Sequence, residues 1–164
     1  MTDPIRFVIN GRKTAMLAPA NRTLADMLRE DLHLKGCKVG CDQSVCGACT
    51  VLVDGEPLSA CSTMAFEVDG TSVVTIEGVR DGDMLSLVQR AFLETSGFQC
   101  GYCTPGMVML ATGLLQVNPE PDDAEIRSWM GANICRCTGY GAIVDAVKRA
   151  VESTRAAVMS EEHA

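Results

Sequence analysis

The sequence predicts two folded parts in series: a small α+β unit over residues 1–78 and an all-α, four-helix unit over residues 79–154, followed by a polar C-terminal tail over 155–164. Three observations carry that expectation. Strand alternation with Asn-Gly and Asp-Gly turns is confined to the first half, 3.6-residue periodicity fills the second, and the composition turns polar from Ser153.

Ile5-Arg6-Phe7-Val8-Ile9 alternates apolar and polar residues and runs into Asn10-Gly11, so the chain opens with a β-hairpin whose second strand covers residues 13–18. Thr23-Leu24-Ala25-Asp26 resembles a capping box, and Leu24, Met27, Leu28 and Leu32 then share the face of one helix that stops near Gly36. Residues 50–53 form a strand turning at Asp54-Gly55, and residues 72–76 form another. One helix packed across a mixed sheet is the arrangement this order predicts.

Four helices follow Gly78. The first covers about 83–96 with Leu85, Val88 and Phe92 inward. The second opens at Thr104-Pro105, a hydroxyl N-cap with proline at the first helical position, and stops before Asn118-Pro119. The third opens at Asp122, with Glu125 three residues on, and turns Ile126, Trp129 and Met130 inward. The fourth starts at Thr138 and places Tyr140, Ile143, Val144, Val147 and Val151 on one face. Their short connections imply a bundle.

Cysteine spacing points to the chemistry. Cys41, Cys46 and Cys49 form C-x4-C-x2-C, answered by Cys61, which is the spacing of a plant-type [2Fe–2S] loop. Gly40 and Gly47 let the backbone adopt unusual φ values and bring N–H groups toward the sulfurs. Zinc is the competing reading, although zinc sites usually show two C-x2-C knuckles or a Cys/His mixture. Cys100-Gly101-Tyr102-Cys103 and Cys135-Arg136-Cys137 each precede a threonine at an expected helix start, where the helix dipole favours an anionic centre. Together they offer a second four-thiolate site.

Composition narrows the partners. A net charge of −7, with 21 acidic against 14 basic residues, argues against nucleic acid or an anionic membrane surface. No apolar run is long enough to span a bilayer, and Met1-Thr2-Asp3-Pro4-Ile5-Arg6 lacks the features of a secretory signal. The expected location is therefore the reducing cytoplasm, where clustered cysteines in a chain with nine of them are more often metal ligands than disulfides. His33 and His163 are the only histidines, and His163 lies in the polar tail, which argues against a Rieske centre.

The chain resembles the small iron–sulfur subunit of the molybdenum hydroxylases, the family of xanthine dehydrogenase and carbon monoxide dehydrogenase. The resemblance rests on Gly40-Cys41-Asp42 through Cys46-Gly47-Ala48-Cys49-Thr50, on Gln99-Cys100-Gly101-Tyr102-Cys103-Thr104-Pro105-Gly106, and on Asn133-Ile134-Cys135-Arg136-Cys137-Thr138-Gly139-Tyr140. It implies an α+β chain: an N-terminal β-grasp, ferredoxin-like domain followed by an all-α four-helix-bundle domain, each holding one [2Fe–2S] cluster. Cys41, Cys46, Cys49 and Cys61 would bind the first, and Cys100, Cys103, Cys135 and Cys137 the second. Gln99 and Cys137 match the residues that approach the molybdopterin cofactor of a large partner subunit, while the first cluster faces FAD in a medium subunit. The implied role is an electron relay from molybdenum through both clusters to FAD, in a heterotrimer that commonly doubles to (αβγ)2. Substrate conversion would belong to the large subunit.

Cys37 stands outside both ligand sets, and its ordinary reading is a small buried hydrophobe, with ligand exchange or oxidation as the sharper alternative. Met107 and Met109 read as core filler, and Asp122 and Asp123 as helix-start residues. A free-standing two-cluster ferredoxin is the alternative function, and a structural zinc protein the third.

Overall fold

The computed structural model describes residues 4–80 and 82–161. Five strands form one mixed sheet: β1 (Ile5–Ile9), β2 (Arg12–Met16), β3 (Thr50–Val53), β4 (Glu56–Ser59) and β5 (Ser72–Val74), in the order β2-β1-β5-β3-β4. The two hairpins turn where the sequence places them. Asn10 and Gly11 have φ of 48° and 78°, and Asp54 and Gly55 have 50° and 89°, the doubly positive geometry whose twist matches a β-hairpin. Both turns also clamp β5 into the sheet. Asn10 Oδ1 accepts the Thr75 N–H at 2.9 Å, and Asp54 Oδ1 accepts that of Ser72 at 2.8 Å. β5 then runs parallel to β1 and antiparallel to β3.

α1 (Leu24–Asp26) lies across one face of this sheet, capped by Thr23, whose hydroxyl accepts the Asp26 N–H at 3.1 Å. Its continuation differs from the expected regular helix to Gly36. Residues Met27–Asp31 form a π-helical turn, with Leu32 N–H donating to the Met27 carbonyl, and His33 turns left-handed at φ 57°. Arg29 then fastens the following loop by donating to the carbonyls of Cys37, at 2.7 Å, and Lys35. The expected inward face survives, since Leu24, Met27 and Leu28 are fully buried against Ile5, Phe7, Ile9, Val51 and Val73.

The second core is helical: α2 (Leu87–Glu94), α3 (Thr104–Val117), α4 (Asp123–Met130) and α5 (Gly141–Glu161). α2 begins later than expected because Ser86 and Gln89 form the reciprocal cap, and this leaves Leu85 exposed rather than inward. Cys103 occupies the N-cap position of α3 without a side-chain cap hydrogen bond, so Thr104 is its first helical residue and not its N-cap. Asp122 caps α4 as expected, but Glu125 reaches Asn118 rather than completing a capping box. α5 starts at Gly141 instead of Thr138 and remains helical to Glu161, past the position where a polar tail was expected; residues 162–164, with His163, lie outside the described residues. Ile126, Met130, Ile143, Val144 and Val147 are buried together with Phe92.

α3 joins the two cores. It is buried on two sides, which explains its nearly continuous apolar sequence, and it packs on β3 and β4 as well as on the other helices. A side chain at Gly113 would meet Leu52 and Pro57, and one at Gly106 would overlap the Gly47 carbonyl and the Ala48 backbone. Among the described residues no helix is long and apolar enough to cross a membrane.

Gly106→Ala is expected to destabilise the chain by about 1–3 kcal/mol, the range for an overpacked site. Gly141→Ala, where nothing lies within 4 Å of the added carbon, is expected to leave the unfolding midpoint nearly unchanged. Thermal denaturation of the two variants side by side checks this.

Two candidate metal centres

The loop between α1 and β3 winds through three left-handed residues, Asp42, Ser44 and Gly47, at φ 56°, 56° and 66°. This winding turns successive amides inward. Gln43, Val45 and Cys46 donate to Cys41 Sγ at 3.4, 3.3 and 3.4 Å, and Ser44 donates to Cys61 Sγ at 3.4 Å. Gly40 serves differently from the expectation. Its φ is not positive; instead, a side chain there would crowd Cys46 Sγ and touch the Tyr102 ring. The β3–β4 hairpin brings in the other two thiols, because Cys49 precedes β3, Cys61 follows β4, and the Ala60 N–H donates to the Cys49 carbonyl.

The second group forms where the chain enters α3 and approaches α5. Cys103 stands at the N-cap position of α3, while Cys135-Arg136-Cys137 leads into a turn with Gly139 at φ 64° and Tyr140 at φ 68°. Thr138, expected to cap a helix, is directed at sulfur: its hydroxyl lies 3.1 Å and its N–H 3.5 Å from Cys135 Sγ. Tyr140 Oη accepts the Cys135 N–H at 3.0 Å and donates to the Asn133 carbonyl at 2.8 Å.

Among the described residues no group of three or more His, Cys, Asp or Glu side chains could hold a single metal ion. Each thiol instead interacts most strongly with one other, Cys41 with Cys46, Cys49 with Cys61, Cys103 with Cys135 and Cys137 with Cys100, while Cys49, Cys103 and Cys137 also feel the charge of a further cysteine, Cys46, Cys100 and Cys135 respectively. A two-iron core takes two protein ligands on each iron, so this donor set fits [2Fe–2S] better than one zinc. The electrostatics fit as well. Backbone N–H groups, led by Gln43, hold the Cys41 thiol down at about 6. Burial, followed by the neighbouring thiols, pushes Cys103 up to about 12, and burial pushes Cys49 up to about 11. Burial is the largest influence on Cys135 and raises it, but the Thr138 hydroxyl and N–H, the Cys137 N–H and the Cys103 side chain together leave the net shift downward. Buried thiolates crowded by other thiolates need a positively charged core to remain ionised.

Cys41 and Cys46 share one cavity of about 270 Å³ with Cys100, Cys103, Cys135 and Cys137. Two hydrogen bonds cross between the loops there: Ile134 N–H to the Cys46 carbonyl at 2.9 Å, and Tyr102 Oη to the Val39 carbonyl at 2.8 Å. Behind them the buried Asn133 amide donates to Thr50 Oγ1 and to the Gly106 carbonyl, and Thr50 Oγ1 reaches the Gly47 carbonyl at 2.7 Å. A side chain at Gly47 would overlap Asn133. No short-range pattern marks Asn133, because its partners lie 27 and 83 residues away in sequence.

Cys100, Cys137 and Gln99 are exposed, whereas Cys49, Cys61 and Cys135 are buried. Cys37 is 3 % exposed, lies in the sheet core and donates its S–H to the Cys49 carbonyl at 3.6 Å; burial pushes its thiol up to about 12. That is the small-hydrophobe reading.

The chain matches two family models, a 2Fe-2S iron-sulfur cluster binding domain over residues 7–72 and a [2Fe-2S] binding domain over residues 75–148. It is 45% identical over 148 residues to the nicotinate dehydrogenase small FeS subunit of Eubacterium barkeri, covering 90% of this chain and 94% of that one. Among solved structures it superposes on quinoline 2-oxidoreductase from Pseudomonas putida 86 with a TM-score of 0.88 and 42% identity, over 93% of this chain and 95% of that chain. It also superposes on the aldehyde oxidoreductase of Desulfovibrio desulfuricans with a TM-score of 0.91 and 39% identity, over 94% of this chain but 17% of that longer one.

Replacing Cys37 by alanine is expected to cost about 1 kcal/mol, the scale of a small buried deletion, while iron and acid-labile sulfide content stay at the wild-type level. A fall in iron would make Cys37 a ligand.

Proposed function

The chain belongs to the small iron–sulfur subunit family of the molybdenum hydroxylases, and we propose that its eight paired cysteines carry electrons between cofactors held by two partner subunits. Cys41, Cys46, Cys49 and Cys61 hold one [2Fe–2S] cluster, and Cys100, Cys103, Cys135 and Cys137 hold the other. Each such cluster, when bound, supplies a one-electron carrier. The observation that carries the reading is the pairing of the thiols, with six of the eight around a single cavity.

The chain's own residues set the conditions for transfer. Cys49, Cys61 and Cys135 are shielded from water, amide donors offset negative charge at Cys41 and Cys61, and the seam at Asn133 holds the two loops at a fixed separation. Exposure of Gln99, Cys100 and Cys137 supports docking of the molybdopterin cofactor of a large subunit at that edge, with Gln99 and Cys137 nearest to it. The first centre then faces FAD in a medium subunit, within a cytoplasmic (αβγ)2 assembly. Substrate conversion takes place at the molybdenum site, and this chain places and tunes the carriers. The full-length relatives described above are enzymes or subunits of enzymes, which leaves the free-standing ferredoxin without support.

Metal analysis of the complex purified without oxygen is expected to give about four iron and about four sulfide per chain, with two S = 1/2 resonances after dithionite reduction. Cys135→Ala is expected to remove one resonance and leave the other. Zinc without sulfide would overturn the assignment.

A further inference from the structure

Cys135 Sγ receives a bond unlike those at the other thiols. Its donor is a side-chain hydroxyl, that of Thr138, at 3.1 Å. The sulfurs of Cys41 and Cys61 are served by backbone amides, and among the described residues no other hydroxyl donates to sulfur.

The hydroxyl is held for this task. Tyr140 N–H donates to Thr138 Oγ1 at 3.1 Å, which occupies a lone pair of that oxygen and leaves its proton for Cys135. Tyr140 reaches this position by adopting φ 68° directly after Gly139 at φ 64°, a conformation that costs energy for an aromatic residue and persists only where the surroundings enforce it. The Tyr140 phenol supplies the enforcement through its bonds to the Cys135 N–H and the Asn133 carbonyl. Thr138 caps no helix, since α5 begins three residues later.

We propose that Thr138 is a redox-tuning residue that raises the midpoint potential of the cluster held by Cys135. The inference rests on the ligand assignment under the proposed function. Reduction adds one electron and no proton, and the added charge is shared by the cysteine sulfurs. A donor already aimed at one of them stabilises the reduced form more than the oxidised form. Cys135 is only 8 % exposed, so water cannot replace the lost bond, and the low local dielectric strengthens the effect.

The test is a redox titration of the purified complex followed by electron paramagnetic resonance, in wild type, Thr138→Val and Thr138→Ser. The resonance that disappears in Cys135→Ala identifies the centre concerned. In Thr138→Val that resonance is expected to titrate at lower potential while the second is unmoved, and Thr138→Ser is expected to restore the wild-type midpoint. Exchange into D2O is expected to reveal a proton coupling at that centre in wild type and Thr138→Ser that Thr138→Val lacks. An unchanged midpoint at full cluster occupancy, or equal shifts of both resonances, would overturn the tuning role and leave the ligand assignment intact. Should valine prevent cluster assembly, Thr138→Ala removes the hydroxyl without adding volume and is read by the same criteria. A wild-type complex without two iron–sulfur resonances would overturn the ligand assignment and the tuning role together.

Discussion

The buried amide of Asn133 is the contact around which the two halves of the chain are arranged. It is 4 % exposed, and its donors serve Thr50 at the start of β3 and the Gly106 carbonyl in the first turn of α3. A buried amide left unpaired is costly, so these bonds specify one docking of the sheet on the helices rather than a range of them. Two absent side chains follow from this. Gly47 makes room for Asn133, and Gly106 makes room for the backbone of the cysteine loop. The thiol geometry inherits its precision from that seam, because Ile134 and Cys135 follow Asn133 directly and Cys46 precedes Gly47.

The hydrophobic framework supports the same seam from further away. α3 is buried between sheet and bundle, so the cores containing Leu28 and Phe92 are not independent of one another. Surface ion pairs such as Arg149 with Glu94 and Arg127 with Asp123 lie half-exposed on the bundle and contribute little by comparison. Stability and positioning of the sulfurs thus come from the same packed surfaces.

Features governed by local rules were legible in the sequence. Asn10-Gly11 and Asp54-Gly55 turn as their residue types require, Asp122 caps its helix, and the inward faces at Leu24, Val88 and Ile126 follow periodicity. Cysteine spacing marked which thiols neighbour one another, since Cys49 lies by Cys61 and Cys103 by Cys135. Features in which a side chain takes a partner other than the one its residue type and position suggest, or a partner far along the chain, were not legible. The π-helical turn after Asp26 and the left-handed His33 break a pattern that reads as one regular helix, and the side chain that fastens the loop beyond them is Arg29. Thr104 and Thr138 look like caps, but Cys103 takes the capping position at α3 and a sulfur atom takes the Thr138 hydroxyl. Asn133 acts across the whole chain, and no window of sequence contains its partners.

The hydrogen bond from Ile134 to the Cys46 carbonyl has a consequence for how a carrier of this design keeps time. Many electron carriers swing on a tether between donor and acceptor, and their turnover is then paced by solvent friction and by the length of the arm. Here the two sulfur-bearing loops are bonded directly to each other, so the crossing between them needs no swinging arm. Viscosity and crowding act on the docking of partner proteins and leave this internal gap untouched.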